Sequence, residues 1–301
     1  MKAAVYYGPR DIKVESIPIP EIGPNDILLK VKYCGICGSD VHSYRSGQYI
    51  EKGQVMGHEF SGEVVKVGHN VKNIEVGERG TGFNSGVCGN CFWCKNKEYS
   101  LCPELFKNST GYGLQGALAE YVKIPNAIKG VNFHSVPDEI DDITAATIEP
   151  VGVAVFTADK CEPKKGDKIV VMGAGLIGNA ILQVFKTFNP GKVIVTEISE
   201  KRLKGALQSG ADVAVNGLKE NVIDRMKELT GTGPYHFGEG AMADIVVDAA
   251  GAPQAVEQSF EIVRSGGTIA FVGLPEKKAL IDTAKIVHKM PRVIGCLGGN
   301  F

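Results

Sequence analysis

The sequence has almost no net charge. Its 33 Lys and Arg residues are balanced by 34 Asp and Glu residues, which gives a formal charge of -1 at pH 7. The lysines are scattered rather than clustered, so the chain offers no basic patch that would hold a phosphate backbone or an acidic bilayer. We therefore expect neither nucleic acid nor membrane among its partners.

Long apolar runs are also missing. The first ten residues, MKAAVYYGPR, contain no apolar segment followed by small residues, as a secretory signal would. The most apolar stretch, IVVMGAGLIGNAILQVF, is interrupted by three glycines, Asn179 and Gln183, which argues against a membrane span. There is no internal repeat. We expect a cytoplasmic protein that acts on a small molecule.

Two regions of different texture divide the chain, and 301 residues are enough for two domains. We predict domains at 1–150 and 151–301. In the first region, short β-rich runs are separated by glycine turns at even spacing, which predicts a compact β domain: AAVYY, ILLKVKYC, GEVVKVG and AEYVKIP.

The second region alternates strand and helix patterns after the apolar, helically spaced stretch IDDITAATIEPVGVAVFTADK. Repeated strand–helix units build a parallel sheet with both faces covered, so the fold class is predicted as α/β. The stretch at 233–242 is longer than a helix-to-strand connection needs, and we assign it no function.

Three glycines follow a predicted strand and open a helix in IVVMGAGLIGNA. Gly173, Gly175 and Gly178 have the spacing of a dinucleotide-binding loop, although an ordinary strand-to-helix turn is an equal alternative on this pattern alone. Glu197 ends the next strand at about the 20-residue distance expected for a carboxylate that binds the ribose diol. A dinucleotide is then favoured as the ligand.

The same carboxylate favours NAD over NADP. A 2′-phosphate about 4 Å from Glu197 would cost on the order of 4 kcal/mol at an effective dielectric constant near 20. Arg202 leaves the question open, because its side chain could turn to a phosphate.

Four cysteines lie in one loop, VCGNCFWCKNKEYSLC, with two, two and seven residues between them. Four thiolates within a short loop can close a tetrahedron around a structural zinc ion, and the alternatives are an iron–sulfur cluster or two disulfides. Grouped cysteines of this kind favour metal binding in a reducing compartment. The loop comprises Ser85 to Pro103, and its cysteines are Cys88, Cys91, Cys94 and Cys102.

The stretch YCGICGSDVH contains two more cysteines, and locally these could be a redox pair, half of a zinc knuckle, or one ligand beside a spectator. GHEF and IEPVG, further along the chain, offer a histidine and two carboxylates. Each of these residues alone is more readily explained as a buried thiol, a turn histidine or a solvated acid: Cys37, His58, Glu59 and Glu149.

Taken together, six motifs resemble the zinc-dependent medium-chain alcohol dehydrogenases, in particular their sorbitol, butanediol and threonine dehydrogenase branch. They are GICGSDVH, GHEFSGEVVKVG, the cysteine quartet, EPVGVAV, GAGLIG and VTEISEKRL, in this order. The resemblance covers nearly the whole chain. It implies a GroES-like catalytic domain, a Rossmann domain, two zinc ions per chain and a homo-oligomer, either dimer or tetramer.

The resemblance also implies roles for individual residues. A catalytic zinc would be held by Cys37, His58 and Glu59, with Glu149 binding the metal directly or through its water. Zinc can lower the pKa of a bound hydroxyl from about 16 towards about 7, which prepares an alcohol for hydride transfer to the nicotinamide. Ser39 and His42 would relay the proton to solvent. Contacts with NAD would come from Ile177, Glu197, Arg202, Val272, Gly273 and Leu274, besides the three glycines.

Two other residues of YCGICGSDVH receive structural roles. Asp40 supports the turn. Cys34 lies near the end of a strand run and is interpreted as a small apolar packing residue.

Departures from the family pattern narrow the range of expected substrates. Sorbitol dehydrogenases have an arginine and a tyrosine where this chain has Cys296, Leu297 and Gly298, and threonine dehydrogenases usually have a threonine where it has Ser39. We expect a secondary alcohol or vicinal diol, similar to 2,3-butanediol, with a sorbitol-like polyol or L-threonine as alternatives. A zinc-stabilised scaffold that binds a nucleotide without turnover is the alternative from another class. The family normally continues beyond the position of Phe301, so we expect a longer natural chain.

Overall fold

A computed structural model describes residues 1–82 and 86–298. Ser85, where the predicted cysteine loop begins, and Phe301 lie outside the described residues. The described residues form two compact units, the first from Met1 to Glu149 and the second from Pro150 to Gly298. Within the described residues, no helix combines the length and the apolar composition that a membrane crossing requires.

Unit 1 is rich in strands, as its sequence predicts. Two short 3-10 turns at Tyr99–Leu101 and Phe106–Asn108 accompany its longer elements. In chain order these are β1 (Lys2–Gly8), β2 (Asp11–Ser16), β3 (Ile27–Cys34), α1 (Gly38–Ser46), β4 (Phe60–Val67), β5 (Arg79–Gly82), α2 (Phe92–Lys95), β6 (Tyr121–Ile124), β7 (Phe133–Ser135) and α3 (Asp142–Ala145).

An antiparallel sheet with the strand order β6-β3-β4-β5-β7 organises the described part of unit 1. Its buried side, which includes Ile27, Leu29 and Phe60, packs into one apolar cluster. β3 and β4 pair to the end of β3, where Cys34 lies opposite Phe60. This pairing brings the residues after β3 next to those before β4.

Unit 2 alternates strands and helices. In chain order it contains most of α4 (Ile148–Cys161), then β8 (Lys168–Met172), α5 (Leu176–Lys186), β9 (Lys192–Glu197), α6 (Glu200–Gln208), β10 (Val213–Asn216), α7 (Val222–Thr230), β11 (Thr232–Tyr235), β12 (Gly238–Ala241), β13 (Ala243–Asp248), α8 (Pro253–Ile262), β14 (Val263–Phe271), α9 (Thr283–Lys289) and β15 (Arg292–Gly295).

Six parallel strands in the order β10-β9-β8-β13-β14-β15 form the large sheet in the described part of unit 2. Its central strands are almost wholly apolar and buried, as expected where helices cover both faces. This sheet begins with β8. The chain adds β9 and β10 on one side of β8 and then β13, β14 and β15 on the other, so the direction of strand addition reverses between β8 and β13. Ligands bind at such a switch point. The predicted α/β class is confirmed.

The stretch at 233–242 forms the hairpin β11–β12, which is separate from the large sheet. The hydroxyl of Thr230 accepts a hydrogen bond from the Met242 amide at 2.9 Å, which ties the two ends of the hairpin together. Phe237 at its tip is 80% exposed. The hairpin is therefore an addition to the sheet rather than part of it.

Candidate active site

Strand pairing assembles the first group of predicted metal ligands. The Gly35 amide donates to the Glu59 carbonyl at 2.6 Å, directly beyond the β3–β4 ladder. Cys37 then begins α1 as its N-cap residue. As a result, Cys37 from one segment meets His58 and Glu59 from the other, although the two segments are well separated in sequence.

Cys37, His58 and Glu59 each turn one ligand atom into the same small space. The three ligand atoms lie within 4.8 Å of one another. His58 and Glu59 are only 4% and 2% exposed. Burial raises the pKa of the Cys37 thiol to about 12 and raises that of Glu59, while burial lowers the pKa of His58.

These groups fit a metal ion. The Nδ1 atom of His58 is buried and has no hydrogen-bond partner among the described residues. A thiol and a carboxyl group that are neutral when buried become ligands when a cation compensates their charge. Three protein ligands of mixed type suit a catalytic zinc site, which keeps a position open.

Asp40 connects the two ligand segments. It accepts hydrogen bonds from the Cys37 amide at 2.9 Å and from the Gly57 amide at 3.3 Å. Its carboxylate also lies 3.9 Å from Nδ1 of His58. The structural role predicted for Asp40 agrees with these contacts.

Glu149 lies near this group but is not one of the three converging ligands. Burial raises its pKa to about 8, and the negative charges of Glu59 and Asp40 contribute. The charge of Glu149 is therefore coupled to that of the centre, and its binding to a metal, directly or through water, is a prediction.

Ser39 and His42, the predicted relay pair, make separate contacts. The Ser39 hydroxyl lies 2.9 Å from the Tyr112 hydroxyl. His42 Nε2 lies 2.7 Å from the Gln48 side-chain oxygen. Within the described part of the chain, no hydrogen bond joins Ser39 to His42.

Tyr112 is a site residue that sequence reasoning missed. Its ring lies against His58, with 4.9 Å between the ring centroids. Its surroundings in sequence, TGYGLQG, are those of an ordinary glycine turn, and no signal in the sequence links it to residues more than 70 positions earlier.

Cys34 is absent from the converging group and packs against the apolar cluster of unit 1. Burial raises the pKa of its thiol to about 12. A neutral, half-buried thiol agrees with a packing role for Cys34.

The cysteine quartet forms a second, separate group. The sulfur atoms of Cys88, Cys91, Cys94 and Cys102 lie within 4.8 Å of one another, and all four residues are free cysteines. Backbone amides within the loop approach three of the sulfurs at 3.3 to 3.4 Å. Hydrogen bonds from the backbone amides of Asn90 and Cys91 are the main reason that the pKa of Cys88 is lowered to about 7. Among the described residues only these four sulfurs converge at this point, which fits a closed zinc site.

The glycine loop of unit 2 has the geometry that close approach of a pyrophosphate requires. Gly173 adopts φ +99°, a left-handed conformation that favours glycine. A Cβ atom on Gly178 would lie 1.9 Å from the Gly173 carbonyl oxygen, whereas one on Gly175 would meet open space. Gly175 caps the N-terminus of α5, where free amides attract anions.

Glu197 lies beside this loop at the end of β9. Its carboxylate accepts hydrogen bonds from the amides of Ala174, Ile198 and Ser199 at 2.8 to 3.1 Å. Arg202 lies 3.6 Å away. Burial alone would raise the pKa of Glu197, but these amides and Arg202 lower it below its ordinary value, so the carboxylate is charged.

The remaining predicted cofactor residues also lie in unit 2. The amides of Val272 and Gly273, just after β14, both donate to the Asp248 carbonyl at 2.9 Å. Leu274 is 52% exposed. Ile177 lies in the first turn of α5 and packs partly against the core. No described contact assigns these four residues to a cofactor, so their role stays a prediction.

Two family models match the chain. An alcohol dehydrogenase GroES-like domain matches residues 23–138, and a zinc-binding dehydrogenase domain matches residues 177–301. Among curated relatives, a sorbitol dehydrogenase of Bacillus subtilis is 33% identical over 93% of this chain and 77% of its own length. An L-threonine 3-dehydrogenase of Rhizobium johnstonii is 36% identical over 99% of this chain and 84% of its own length.

Solved structures agree with these relatives. The 2R,3R-butanediol dehydrogenase of Bacillus subtilis has a TM-score of 0.84 at 31% identity and covers 99% of this chain and 84% of its own. A zinc-binding dehydrogenase of Sinorhizobium meliloti, bound to NADP, has a TM-score of 0.87 at 29% identity and covers 100% of this chain and 85% of its own. The chain therefore belongs to the zinc-dependent medium-chain dehydrogenase family, whose members are oxidoreductases acting on CH-OH groups.

Proposed function

We propose that this enzyme oxidises a secondary alcohol or vicinal diol to the ketone, reversibly, with zinc and NAD. The observation that carries the proposal is the convergence of Cys37, His58 and Glu59 on one buried point. A scaffold that bound zinc only for stability would need the cysteine quartet and would gain nothing from this second group.

In the proposed reaction the chain supplies ligands, orientation and proton transfer. Cys37, His58 and Glu59 would hold the zinc, which when bound polarises a substrate hydroxyl and lowers its pKa. Ser39 lies beside Cys37 and would accept the substrate proton as its own hydroxyl proton is released. His42, which is only partly buried, would pass the proton to solvent.

His42→Ala tests the last step. We expect it to shift the pH profile of turnover while zinc stays bound, because the imidazole contacts Gln48 and none of the ligands. Unchanged kinetics at all pH values would remove His42 from the relay.

Glu197 supports NAD as the cofactor. A charged carboxylate beside the glycine loop would repel a 2′-phosphate, while its unused lone pairs can still accept from a ribose diol. Because the Sinorhizobium meliloti neighbour binds NADP, both cofactors need to be compared. We expect a lower Michaelis constant for NAD, and Glu197→Gln should narrow the difference. A wild-type preference for NADP would contradict this assignment.

The substrate is proposed as a small secondary alcohol or diol. This chain has Cys296, Leu297 and Gly298 where the resemblance places the arginine and tyrosine with which sorbitol dehydrogenases bind a polyol. The butanediol dehydrogenase among the structural neighbours supports this class. The sorbitol and threonine dehydrogenases among the relatives keep those two substrates as alternatives.

The test is NADH formation at 340 nm with 2,3-butanediol, sorbitol, L-threonine, 2-propanol and ethanol. We expect the highest kcat/KM with 2,3-butanediol, and Cys37→Ala serves as the inactive control. If the zinc-loaded protein oxidises none of the five, the proposed function is wrong.

A further inference from the structure

Tyr112 lies in a tight turn that leaves it little freedom. The Tyr112 amide donates to the Ser109 carbonyl at 3.2 Å, and the Gly111 amide donates to the Leu114 carbonyl at 3.0 Å. A Cβ atom on Gly113 would lie only 1.8 Å from the Lys107 carbonyl oxygen. Neighbouring backbone thus fixes where the tyrosine side chain begins.

The phenol hydroxyl of Tyr112 reaches one metal ligand through an intermediate residue. It lies 2.9 Å from the Ser39 hydroxyl. The Ser39 side chain is also hydrogen-bonded to the Cys37 thiol. A chain of hydrogen bonds therefore runs from Tyr112 through Ser39 to Cys37.

The ring of the same residue contacts a second ligand. It lies 4.9 Å from the His58 ring at an interplanar angle of 30°. The Phe106 ring also packs against it in a T-shaped arrangement, with 5.2 Å between the ring centroids. The imidazole is thus packed against an aromatic ring that cannot easily move away.

We propose that Tyr112 is a positioning residue of the metal centre, which orients Cys37 through Ser39 and fixes the ring plane of His58 by direct packing. The proposal rests on the ligand set given under the proposed function. Groups that hold metal ligands from outside influence metal affinity as well as activity, typically by about 10- to 100-fold. Tyr112 reaches two of the three ligands, Cys37 through the Ser39 hydroxyl and His58 by direct ring packing, so the two effects can be separated.

Two substitutions separate the effect of the Tyr112 hydroxyl from that of its ring. Tyr112→Phe removes only the hydroxyl and should weaken zinc binding at Cys37, His58 and Glu59 about 10-fold, as measured by competition with a chromophoric chelator. Zinc in the cysteine quartet should be unaffected. Tyr112→Leu removes the ring as well and should weaken binding further. If Tyr112→Leu does not fold, Tyr112→Phe still decides the question, because its ring is unchanged.

A double-mutant cycle tests the route through Ser39. If the phenol acts through that hydroxyl, Tyr112→Phe should add nothing to the zinc affinity lost in Ser39→Ala. Tyr49→Phe is the matched control, because Tyr49 belongs to the same aromatic group and its hydroxyl has no hydrogen bond in the described structure. It should bind zinc as the wild type does.

Several results would overturn the proposal: Tyr112→Phe with wild-type zinc affinity, losses in Tyr112→Phe and Ser39→Ala that simply add, or a wild-type protein that binds zinc only in the quartet. A wild-type protein that binds two zinc ions but oxidises no alcohol would refute the proposed function alone. The zinc measurements would then still support the positioning role if Tyr112→Phe weakens the first site.

Discussion

Unit 1 contains two groups of side chains that can hold a metal ion, and the two are built in opposite ways. The quartet comes from a single loop, between Cys88 and Cys102, and presents only sulfur. The other group, called the mixed group below, joins Cys37 to His58 and Glu59. Cys37 follows β3, His58 and Glu59 precede β4, and these two strands are paired. One group is encoded by local spacing and the other by the fold of the whole unit.

The surroundings of the two groups differ as well. Around the quartet, backbone amides point at the sulfurs. Around the mixed group lie side chains that can exchange or orient protons, namely Ser39, Tyr112 and Glu149. In the proposed assignment, four thiolates with amide donors would serve stability, whereas three mixed ligands beside polar side chains would serve chemistry.

The largest expected effect is that of Cys37→Ala. Loss of a ligand from the mixed group should remove one of two zinc ions and lower turnover at least about a thousandfold, since several kcal/mol of barrier reduction are lost. The unfolding temperature should change little. Zinc content, the 340 nm assay and circular dichroism would show this. If Cys37→Ala retains both zinc ions and normal turnover, the mixed group has no catalytic role that distinguishes it from the quartet.

Cys88→Ser should have the opposite profile. Loss of the quartet zinc should destabilise unit 1 by several kcal/mol and lower the unfolding temperature by about 10 °C, because this loop has only a small apolar core of its own. Activity measured well below the transition should fall much less than in Cys37→Ala. Differential scanning calorimetry would test it, with a chelator-treated wild type as reference. An unchanged transition would mean that the quartet does not stabilise the fold.

Glu149→Gln should reduce turnover about 10- to 100-fold while both zinc ions stay bound. The half-buried carboxylate interacts electrostatically with Glu59 but lies outside the three converging ligands, so its loss should affect the centre without dismantling it. Steady-state kinetics and zinc analysis on the same sample are sufficient. Loss of a zinc ion in this variant would show that Glu149 is itself a ligand.

Cys34→Ala is expected to have the smallest effect. The side chain packs against the apolar cluster of unit 1 and is not one of the three converging ligands, although its thiol has a hydrogen bond with the backbone of Glu59. Stability should fall by about 1 kcal/mol, and kcat/KM should change less than twofold. A strong loss of activity would indicate that Cys34 takes part in the metal centre.

The sequence predicted most of this architecture, because local patterns encode most of it. The runs ILLKVKYC, IVVM and KVIVTE are strands β3, β8 and β9, and the spacing of the quartet needs no tertiary information. The glycines of the dinucleotide loop were also recognisable from their spacing, and Gly173 and Gly178 each meet a local backbone requirement.

Other features depend on contacts between distant segments. Tyr112 meets Ser39 only because the fold brings together residues 73 positions apart. The hairpin β11–β12 was missed because its glycine-rich strands, TGPY and GEGA, have none of the alternating apolar pattern that predicts a strand. The resemblance suggested that Ser39 and His42 act together, but it could not indicate that their side chains have different partners.

Asp40 gives the mixed group a further property. By accepting from the amides of Cys37 and Gly57, it joins the two ligand segments with protein hydrogen bonds alone. The entropy lost in bringing these segments together is therefore lost when the chain folds rather than when the metal binds. A site preorganised in this way would release and recapture a metal ion without unfolding, so the rate of metal exchange at Cys37, His58 and Glu59 should be independent of the stability of the domain that contains them.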